Sequence, residues 1–507
     1  MRLRGAFSGQ VLPLVAACIV VLLGFTALAV DLGMAWTIKR HMQTAADAAA
    51  VAAATALYNG GTYTSATTAA QDSATLNGFT NGSDNVTVTA AEPTTSPYNT
   101  ISYVQVNVAQ SVPTYFLRAL GYSALNIGAQ AIAGTESGGA CVYALDPSRA
   151  SAIGVTGNFS VNASCGVLDD SSSASAFTAT GNGNFTATSI GVVGSSPGYS
   201  DTGNVTLSPT PVTNIVPGGD PLSYIAAPSV GSCTQAATTN SGSYSPSGNF
   251  TTLNVSPAVY SGGMSISGNI TTLNFAAGTY GNGVSVGGNV GTANFSPGQY
   301  QDGSGSGASI TMSGNTTMSF ASGSYTFCGP LSIVGNNTVT LQPGLYVGGI
   351  SITGNANVTF SSGTYVLAGG GLTVTGNSTL TGTGVTFYNT SSSGFGYGPI
   401  DLTGNETANL GAPTSGALAG MLFFQDRSVA YSGSNGSTVI GNSSSTFDGA
   451  VYFATTALSY YGNSSSSGYT FLVADMITIT GNSSMTIGSD YSSLSNGSPI
   501  KSSTLYE

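Results

Sequence analysis

A Gly-Asn dipeptide that recurs through most of the chain is the sequence feature that most constrains its fold. Many successive copies lie roughly 20 residues apart, a spacing typical of solenoid repeats. Glycine adopts a positive φ freely and asparagine tolerates one better than most residues, so the pair suits a tight corner. A single segment of this kind cannot bury its inward side chains alone, whereas stacked segments can. The dipeptide begins at Gly157, Gly181, Gly203, Gly248, Gly268, Gly288, Gly314, Gly335, Gly354, Gly376, Gly404, Gly441, Gly462 and Gly481.

The clearest copies show alternating apolar residues, Gly-Asn, alternating Thr and apolar residues, and then Gly-x-Tyr. This pattern predicts two or three short strands per copy, separated by corners, with Asn stacked above Asn in a ladder of side-chain amides. We predict a right-handed parallel β-helix over residues 241–500, preceded over residues 137–240 by a disulfide-linked β transition region with the first coils. A β-propeller is the alternative, but its blades need about 40 residues or more. The clearest copies are Met264–Tyr280, Val284–Tyr300, Ile350–Tyr365 and Leu372–Tyr388.

Tyrosines recur near the end of many copies. Outward rings would form an aromatic stripe able to bind glycans, whereas inward rings would pack the corners, and we favour packing. A flat Thr-rich face could bind ice or a polymer surface, but the sequence contains no strict Thr-x-Thr array. The tyrosines are Tyr280, Tyr300, Tyr325, Tyr346 and Tyr365.

An uncharged apolar segment covers residues 11–30. Its length of about 20 residues matches one bilayer crossing, so we predict a single-pass anchor; a cleaved signal peptide is the alternative. Arg2 and Arg4 precede the segment and place the N-terminus in the cytoplasm. The Ala-rich stretch that follows predicts that the same helix continues to residue 58 and ends at Asn59-Gly60-Gly61.

Residues 59–136 predict a small α/β unit of pilin-like type. Ser65–Phe79 is expected to be a second helix, and Pro113–Gly121 a short helix that begins with proline. Alternating apolar residues predict strands at Asn85–Ala90, Ile101–Val112 and Ala124–Gly134.

Charge is scarce: 5% of residues are charged and the net charge is −11. Nucleic-acid binding needs several phosphate-neutralising cations, so we predict none. The acids of the repeat region are scattered and the chain has one His, outside that region, so we predict no catalytic residues, no metal site and no cofactor. The one acid–base neighbour pair, Asp426-Arg427, is expected to be a local ion pair or strand-end turn. The scattered acids are Asp302, Asp401, Glu406, Asp426, Asp448, Asp475 and Asp490.

Four of the five cysteines lie beyond the apolar segment: Cys141, Cys165, Cys233 and Cys328. An even number without a CxxC spacing indicates disulfides in an oxidising compartment more than a zinc site. We expect Cys141 to pair with Cys165 and Cys233 with Cys328, on sequence proximity alone; four cysteines allow three connectivities, and four free thiols are the alternative.

The N-terminal segment resembles TadG-like proteins of the Flp (tight adherence) pilus-assembly system. The resemblance is carried by Gly9-Gln10, by Ala29-Val30-Asp31-Leu32-Gly33 and by Met42-Gln43-Thr44-Ala45-Ala46-Asp47. Asp31 and Asp47 are its family-motif residues. Some larger TadG-like proteins carry a von Willebrand A domain, and residues 169–173 contain its Asp-x-Ser-x-Ser metal-binding pattern. A β-repeat follows here instead of alternating helices and strands, so we predict a polar loop.

The resemblance implies a cell-envelope location and an association with Tad pilus-assembly proteins. We therefore predict a structural protein of the bacterial inner membrane, anchored in the bilayer by residues 11–30. Its bulk, which would be periplasmic or extracellular, would serve a structural role with surface adhesion. The alternatives are a module that binds an extracellular glycan or surface, and a polysaccharide-active β-helix enzyme.

Overall fold

A computed structural model of the protein describes residues 11–58, 62–94, 103–137, 139–302, 307–465, 468–481, 484–495 and 497–506. The chain forms two compact units. The first, here called the N-terminal unit, comprises Met1–Gly138 and Lys501–Glu507, and the second, the solenoid unit, comprises Gly139–Ile500. Arg2, Arg4, Gly9-Gln10 and the predicted helix end at residues 59–61 lie outside the described residues.

One continuous helix, α1 (Val11–Tyr58), dominates the N-terminal unit and joins the predicted membrane segment to its extension. A second helix, α2 (Tyr63–Leu76), begins after Thr62, whose side chain accepts the N–H of Ser65. An antiparallel four-stranded sheet completes the unit, with strands Val86–Ala91, Tyr103–Pro113, Ala124–Ser137 and Lys501–Tyr506. The fourth strand comes from the C-terminal end of the chain and pairs with Ala124–Ser137.

The predicted helix at Pro113–Gly121 is a single 3-10 turn, Leu117–Leu120. Pro113 instead ends a strand, where it lies opposite Ala124. The end of a strand tolerates proline, because the missing N–H is needed less there than in the middle of the ladder.

Alanines hold the two helices and the sheet together. The second half of α1 and one face of α2 present alanine side chains with no exposed surface. Small side chains allow the backbones to approach closely, so the Ala-rich sequence serves packing as well as helix propensity. These alanines are Ala45, Ala46, Ala49, Ala50, Ala53, Ala54, Ala66, Ala70 and Ala74.

The solenoid unit is one sheet of 31 strands whose successive coils pair in parallel. Each coil has three sides, here called A, B and C in chain order, and the whole forms about 15 turns. Side A contains Val284–Val286, Ile310–Gly314, Leu331–Gly335, Ile350–Gly354, Leu372–Gly376 and Ile400–Leu402. Side B contains Ser247–Val255, Asn289–Phe295, Thr317–Phe320, Thr338–Leu341, Asn357–Phe360, Thr379–Thr383, Thr407–Gly411 and Ser484–Ile487.

Side C contains Gly278–Tyr280, Gly298–Gln301, Tyr325–Cys328, Gly344–Val347, Gly363–Ala368, Val385–Thr390 and Met421–Gln425, and, from the start of the unit, Ala140–Ala144, Gly166–Asp169, Ile190–Val192 and Val212–Thr213. Six longer strands continue through at least one corner: Ile153–Ala163, Ser175–Thr186, Gly198–Ser208, Met264–Phe275, Ser437–Ser465 and Thr470–Gly481. The predicted parallel stacking of Gly-Asn repeats is confirmed.

The coils do not stack in the order in which they occur in the chain. The first strand of the unit, Ala140–Ala144, pairs with Thr470–Gly481 from near the other end of the chain. Ile153–Ala163 pairs with Thr470–Gly481 and with Ser484–Ile487. One coil therefore takes sides A and B from residues 477–487 and side C from residues 140–144; we call it the composite coil.

The N-terminal coils extend the stack beyond the composite coil. Ser175–Thr186 pairs with Ile153–Ala163, and Gly198–Ser208 pairs with Ser175–Thr186. The opposite end of the stack begins with Ser247–Val255, which pairs with Met264–Phe275. The chain must therefore travel back along the solenoid between residues 214 and 238, and we call this stretch the return segment.

The return segment lies along side C. The guanidinium of Arg427 donates to the carbonyl oxygens of Leu222 and Ile225 at 2.6 and 2.9 Å. Further along, the side chain of Gln299 donates to the carbonyl of Thr234 at 2.9 Å. Side C is therefore partly covered by the protein's own chain.

Glycine is required at the corner column. Gly376 has a φ of +109°, and a Cβ added there would lie 2.2 Å from the carbonyl oxygen of Gly354 in the adjacent coil. We expect Gly376→Ala to lower the free energy of unfolding by about 2 kcal/mol or more, because a left-handed backbone and a backbone clash both oppose the added methyl. Urea denaturation followed by circular dichroism measures this effect.

The matched control for this prediction is Gly394→Ala. A Cβ at Gly394 meets nothing within 4 Å, and its φ is not positive. Equal stabilities of the two variants would contradict the requirement for glycine at the corner.

Candidate functional site

Side B carries two parallel rows of outward polar side chains. The first row is mostly threonine and the second is a mixture of Asn, Ser and Thr, all partly or fully exposed. The strand register aligns each row from coil to coil. The rows are Thr252, Thr272, Thr292, Thr317, Thr338, Asn357, Thr379 and Thr407, and Asn254, Asn274, Asn294, Ser319, Thr340, Thr359, Thr381 and Asn409. We call these two rows the side-B array.

The array repeats in two dimensions. Neighbouring strands in a sheet lie about 4.8 Å apart, and residues i and i+2 of one strand lie about 6.6 Å apart. Neighbouring side chains also order one another: Asn294 donates to Asn274 at 2.9 Å, and the hydroxyls of Thr359 and Thr381 lie 3.1 Å apart. The array is thus a regular lattice of hydroxyl and amide groups without a charged residue.

The predicted asparagine ladder lies at the corner between sides A and B. Side-chain amides of successive coils bond to one another at 2.8 to 3.1 Å. Such a ladder fixes the register of the coils and therefore the alignment of the array beside it. Its two longer runs are Asn249, Asn269 and Asn289, and Asn315, Asn336, Asn355 and Asn377; in the N-terminal coils, Asn182 donates to Asn158 at 3.2 Å.

The five repeating tyrosines point inward, as favoured from the sequence, and each is at most 1% exposed. Their rings stack through the core; the ring centroids of Tyr280 and Tyr300 are 5.2 Å apart. Their hydroxyls donate to backbone carbonyls, as Tyr365 does to Leu341 and Ser361, both at 2.9 Å. These rings are unavailable to a ligand.

The buried tyrosines predict alkaline sensitivity. Burial raises the pKa of Tyr280 and of Tyr325 to about 12, from an ordinary value of about 10. The fold favours the neutral phenol, so this contribution to stability is complete below pH 10 and is lost as the pH rises from about 10 through about 12. In a titration followed by tyrosinate absorbance, we expect this group to ionise together with loss of the β-sheet circular dichroism signal. Complete ionisation near pH 10 with an unchanged β signal would contradict inward burial.

Most acids of the repeat region accept hydrogen bonds from nearby groups of the protein. Asp426 and Arg427 lie in a turn directly after the strand Met421–Gln425, which is one of the two sequence expectations; the other, an ion pair between them, is not formed. The Asp426 carboxylate accepts hydrogen bonds from Thr390 and Ser428. Arg427 instead forms an ion pair with Asp220 of the return segment at 3.6 Å. Glu406 is 1% exposed, and burial raises its pKa. Asp302 accepts a hydrogen bond from the side chain of Gln235, and Asp448 and Asp490 accept the backbone N–H groups of Gly468 and Ser492.

The carboxylates of Asp169 and Asp170 accept backbone N–H groups. Asp169 accepts the N–H groups of Ile153 and Ser171, and Asp170 accepts those of Gly218 and Gly219. Burial raises the pKa of Asp169 to about 7, against the lowering effect of its two hydrogen bonds. These contacts support the polar-loop interpretation.

Sequence reasoning missed an acidic cluster at the composite coil. Asp146 accepts the guanidinium of Arg149 at 2.8 Å, and the backbone N–H of Asp146 donates to the carbonyl of Asp475 at 2.9 Å. Burial and the nearby Asp146 raise the pKa of the Asp475 carboxyl. Arg149 also lies 3.9 Å above the ring of Tyr431. No sequence signal joins these residues, because only the order of stacking brings positions 146 and 475 together.

The two cysteine pairs lie where distant parts of the chain meet in the solenoid unit, at the composite coil and at the return segment. Cys141–Cys165 joins the composite coil to the next coil, and Cys233–Cys328 joins the return segment to side C. The Cα–Cα distances are 5.8 and 5.6 Å, within the range for disulfides.

The two motif aspartates organise the N-terminal unit. Asp31 is 4% exposed and its carboxylate accepts the N–H groups of Phe116 and Leu117 at 2.8 and 2.6 Å. Asp47 accepts the side chain of Gln43, which also donates to the carbonyl of Gln130 on the sheet. Each aspartate thus ties α1, directly or through Gln43, to another element of the unit.

The architecture defines a class of protein in which a helix long and apolar enough to cross a membrane, Pro13–Leu57, leads into a small α/β unit and then a parallel β-solenoid. Residues 9–56 match the family described as putative Flp pilus-assembly TadE/G-like, and residues 33–133 match the putative Tad-like Flp pilus-assembly family. The N-terminal unit thus carries Tad-type domains, as the resemblance implied, and neither match extends into the solenoid unit. No curated protein and no solved structure matches the chain significantly.

Proposed function

We propose that this protein is a structural protein of the bacterial cell envelope, held in the inner membrane by α1, that uses the side-B array for adhesion. The array is the observation that carries the proposal. It is uncharged, regular in two dimensions and rich in donors and acceptors, so it suits a neutral, hydroxylated partner surface. The Tad-type domains support an association with pilus-assembly proteins.

A glycan surface is a partner of this kind, because sugar hydroxyls match the array chemically. The two rows contain no aromatic side chain on which a single sugar ring could stack. An ordered polysaccharide surface, which presents many hydroxyls at once, therefore fits better than a short soluble glycan.

A binding assay with an insoluble uncharged polysaccharide, such as microcrystalline cellulose, tests the adhesive role. The double variant Thr338→Glu with Thr340→Glu places two charges on the array. We expect it to weaken binding of the detergent-solubilised chain at least about tenfold, which corresponds to about 1.4 kcal/mol. The matched control is Ser332→Glu with Val334→Glu, which adds the same charges to side A of the same coil. Equal binding by both variants would contradict a role for side B.

Fractionation of a tagged chain tests the proposed location. We expect the protein in the inner-membrane fraction, with the solenoid unit digested by protease added to spheroplasts. Protection of the solenoid unit in intact spheroplasts would reverse the proposed orientation.

We also propose that the protein is not an enzyme. Asp146, in the acidic cluster, receives the N–H groups of Ser148 and Arg149 besides the Arg149 guanidinium, which is the bonding pattern of a turn cap. Hydrolysis of a soluble polysaccharide by the purified chain, abolished by Asp475→Asn, would overturn this proposal.

A further inference from the structure

The loop of residues 114–122 exposes large apolar side chains beside the apolar half of α1. Tyr115 is 68% exposed, Phe116 is 49% exposed and Tyr122 is 63% exposed. Several large apolar side chains exposed together mark an interaction surface, whereas single exposed apolar residues are common and need no explanation.

The position of this loop along α1 is fixed by Asp31. The Asp31 carboxylate receives the backbone N–H groups of Tyr115, Phe116 and Leu117 at 3.2, 2.8 and 2.6 Å. Asp31 is the first charged residue after the apolar segment of residues 11–30. The loop is therefore held at the end of the segment, where a spanning helix would leave the hydrocarbon.

The loop also extends back along the apolar segment. Phe116 and Leu117 line a shallow groove of about 260 Å³ with Gly24, Ala27 and Leu28 of α1. These three helix residues lie before Asp31, within the predicted bilayer crossing. Lipid on this side of α1 would therefore also contact the aromatic rings of the loop.

We infer that the loop of residues 114–122 inserts into the outer boundary of the lipid bilayer as a second membrane contact beside α1. The inference rests on the proposed anchoring of α1. Tyrosine and other aromatic side chains are enriched at this boundary, where an apolar ring meets hydrocarbon and a polar group meets water. Arg118, which is exposed in the same turn, would reach the lipid phosphates with its guanidinium.

The bilayer contact also explains why the Asp31 carboxylate at the base of the loop is fully hydrogen-bonded. Asp31 is 4% exposed and its carboxylate is bonded to three backbone N–H groups. A carboxylate at the edge of hydrocarbon is costly unless its acceptors are occupied, and the loop supplies those donors. The loop thus stabilises the Asp31 carboxylate at the membrane boundary, and Asp31 in turn holds the loop there.

Single-tryptophan reporters in nanodiscs test the inference. The chain has one tryptophan, Trp36, so Trp36→Phe provides a background free of tryptophan. Three reporters are added separately: Phe116→Trp in the loop, Ile19→Trp in the apolar segment, and Leu76→Trp in α2, where Leu76 is 89% exposed. Each is measured in lipids brominated high or low on the acyl chain.

We expect Phe116→Trp to lose about half of its fluorescence with bromines placed near the headgroups, as for a ring at the boundary depth of about 5–10 Å. Ile19→Trp should be quenched most by deeper bromines, and Leu76→Trp by neither. Quenching of Ile19→Trp without quenching of Phe116→Trp would overturn the loop insertion and leave the anchor standing. Quenching of neither would overturn both the insertion and the proposed anchoring.

Discussion

Truncation of the chain after residue 469 is expected to unfold the N-terminal coils at residues 153–208, although the deletion is more than 250 residues away in sequence. The deletion removes Thr470–Gly481 and Ser484–Ile487, on which Ile153–Ala163 stacks. Ile477, Ile479, Met485 and Ile487 are each at most 3% exposed. Burial of four such side chains stabilises the interface by on the order of 10 kcal/mol, so its loss exceeds the stability that a few coils hold alone.

Amide hydrogen exchange read by mass spectrometry measures this effect. In the truncated chain, residues 153–208 should exchange nearly as fast as in urea. The control is truncation after Ile500, which removes the strand Lys501–Tyr506 of the N-terminal unit and leaves every coil in place. If residues 153–208 stay protected after the longer truncation, the composite coil does not exist in solution.

Replacement of Phe295 by alanine is expected to have the next largest effect. Phe295 has no exposed surface, and its ring centroid lies 4.5 Å from that of Phe275 and 4.6 Å from that of Phe320. The cavity left in this column should lower the free energy of unfolding by about 3–5 kcal/mol. Urea denaturation followed by circular dichroism gives the difference directly.

The control for Phe295→Ala is Val334→Ala, on the outward face of side A, where Val334 is 40% exposed. Its cost should stay below about 1 kcal/mol, because little apolar surface returns to water. A similar loss from both variants would show that the aromatic column contributes no more than the surface.

Local pattern predicted much of the fold. The uncharged run and the Ala-rich stretch predicted one helix, and α1 is continuous from Val11 to Tyr58. The alternation of apolar and polar residues around Gly-Asn predicted stacked parallel strands and inward tyrosines. Successive side chains of a strand point to opposite faces, so the apolar set, which includes the tyrosines, points into the core. The sequence indicates a Thr-rich face but no strict Thr-x-Thr array, because the second row of the side-B array mixes Asn, Ser and Thr. These residues share one face in space but form no single sequence motif.

The order of the coils could not be predicted from local pattern. Every copy has the same corner, so Gly157 stacks on Gly481 as readily as Gly268 stacks on Gly248. Because each repeat can stack on any other, the repeat pattern predicts that the coils stack but not the order in which they do so. For the same reason the contacts of Arg427 with the return segment, and the meeting of Asp146 with Asp475, carried no signal in the sequence.

The composite coil has a consequence for how the protein is made. A ribosome releases residues 140–208 well before residues 470–487. The strands at residues 140–208 must remain without their neighbour until residues 470–487 have emerged, so a nascent solenoid grows from its middle repeats and the composite coil forms after them. A chain whose translation stops before residue 470 therefore keeps the strands at residues 140–208 without the neighbour on which they stack.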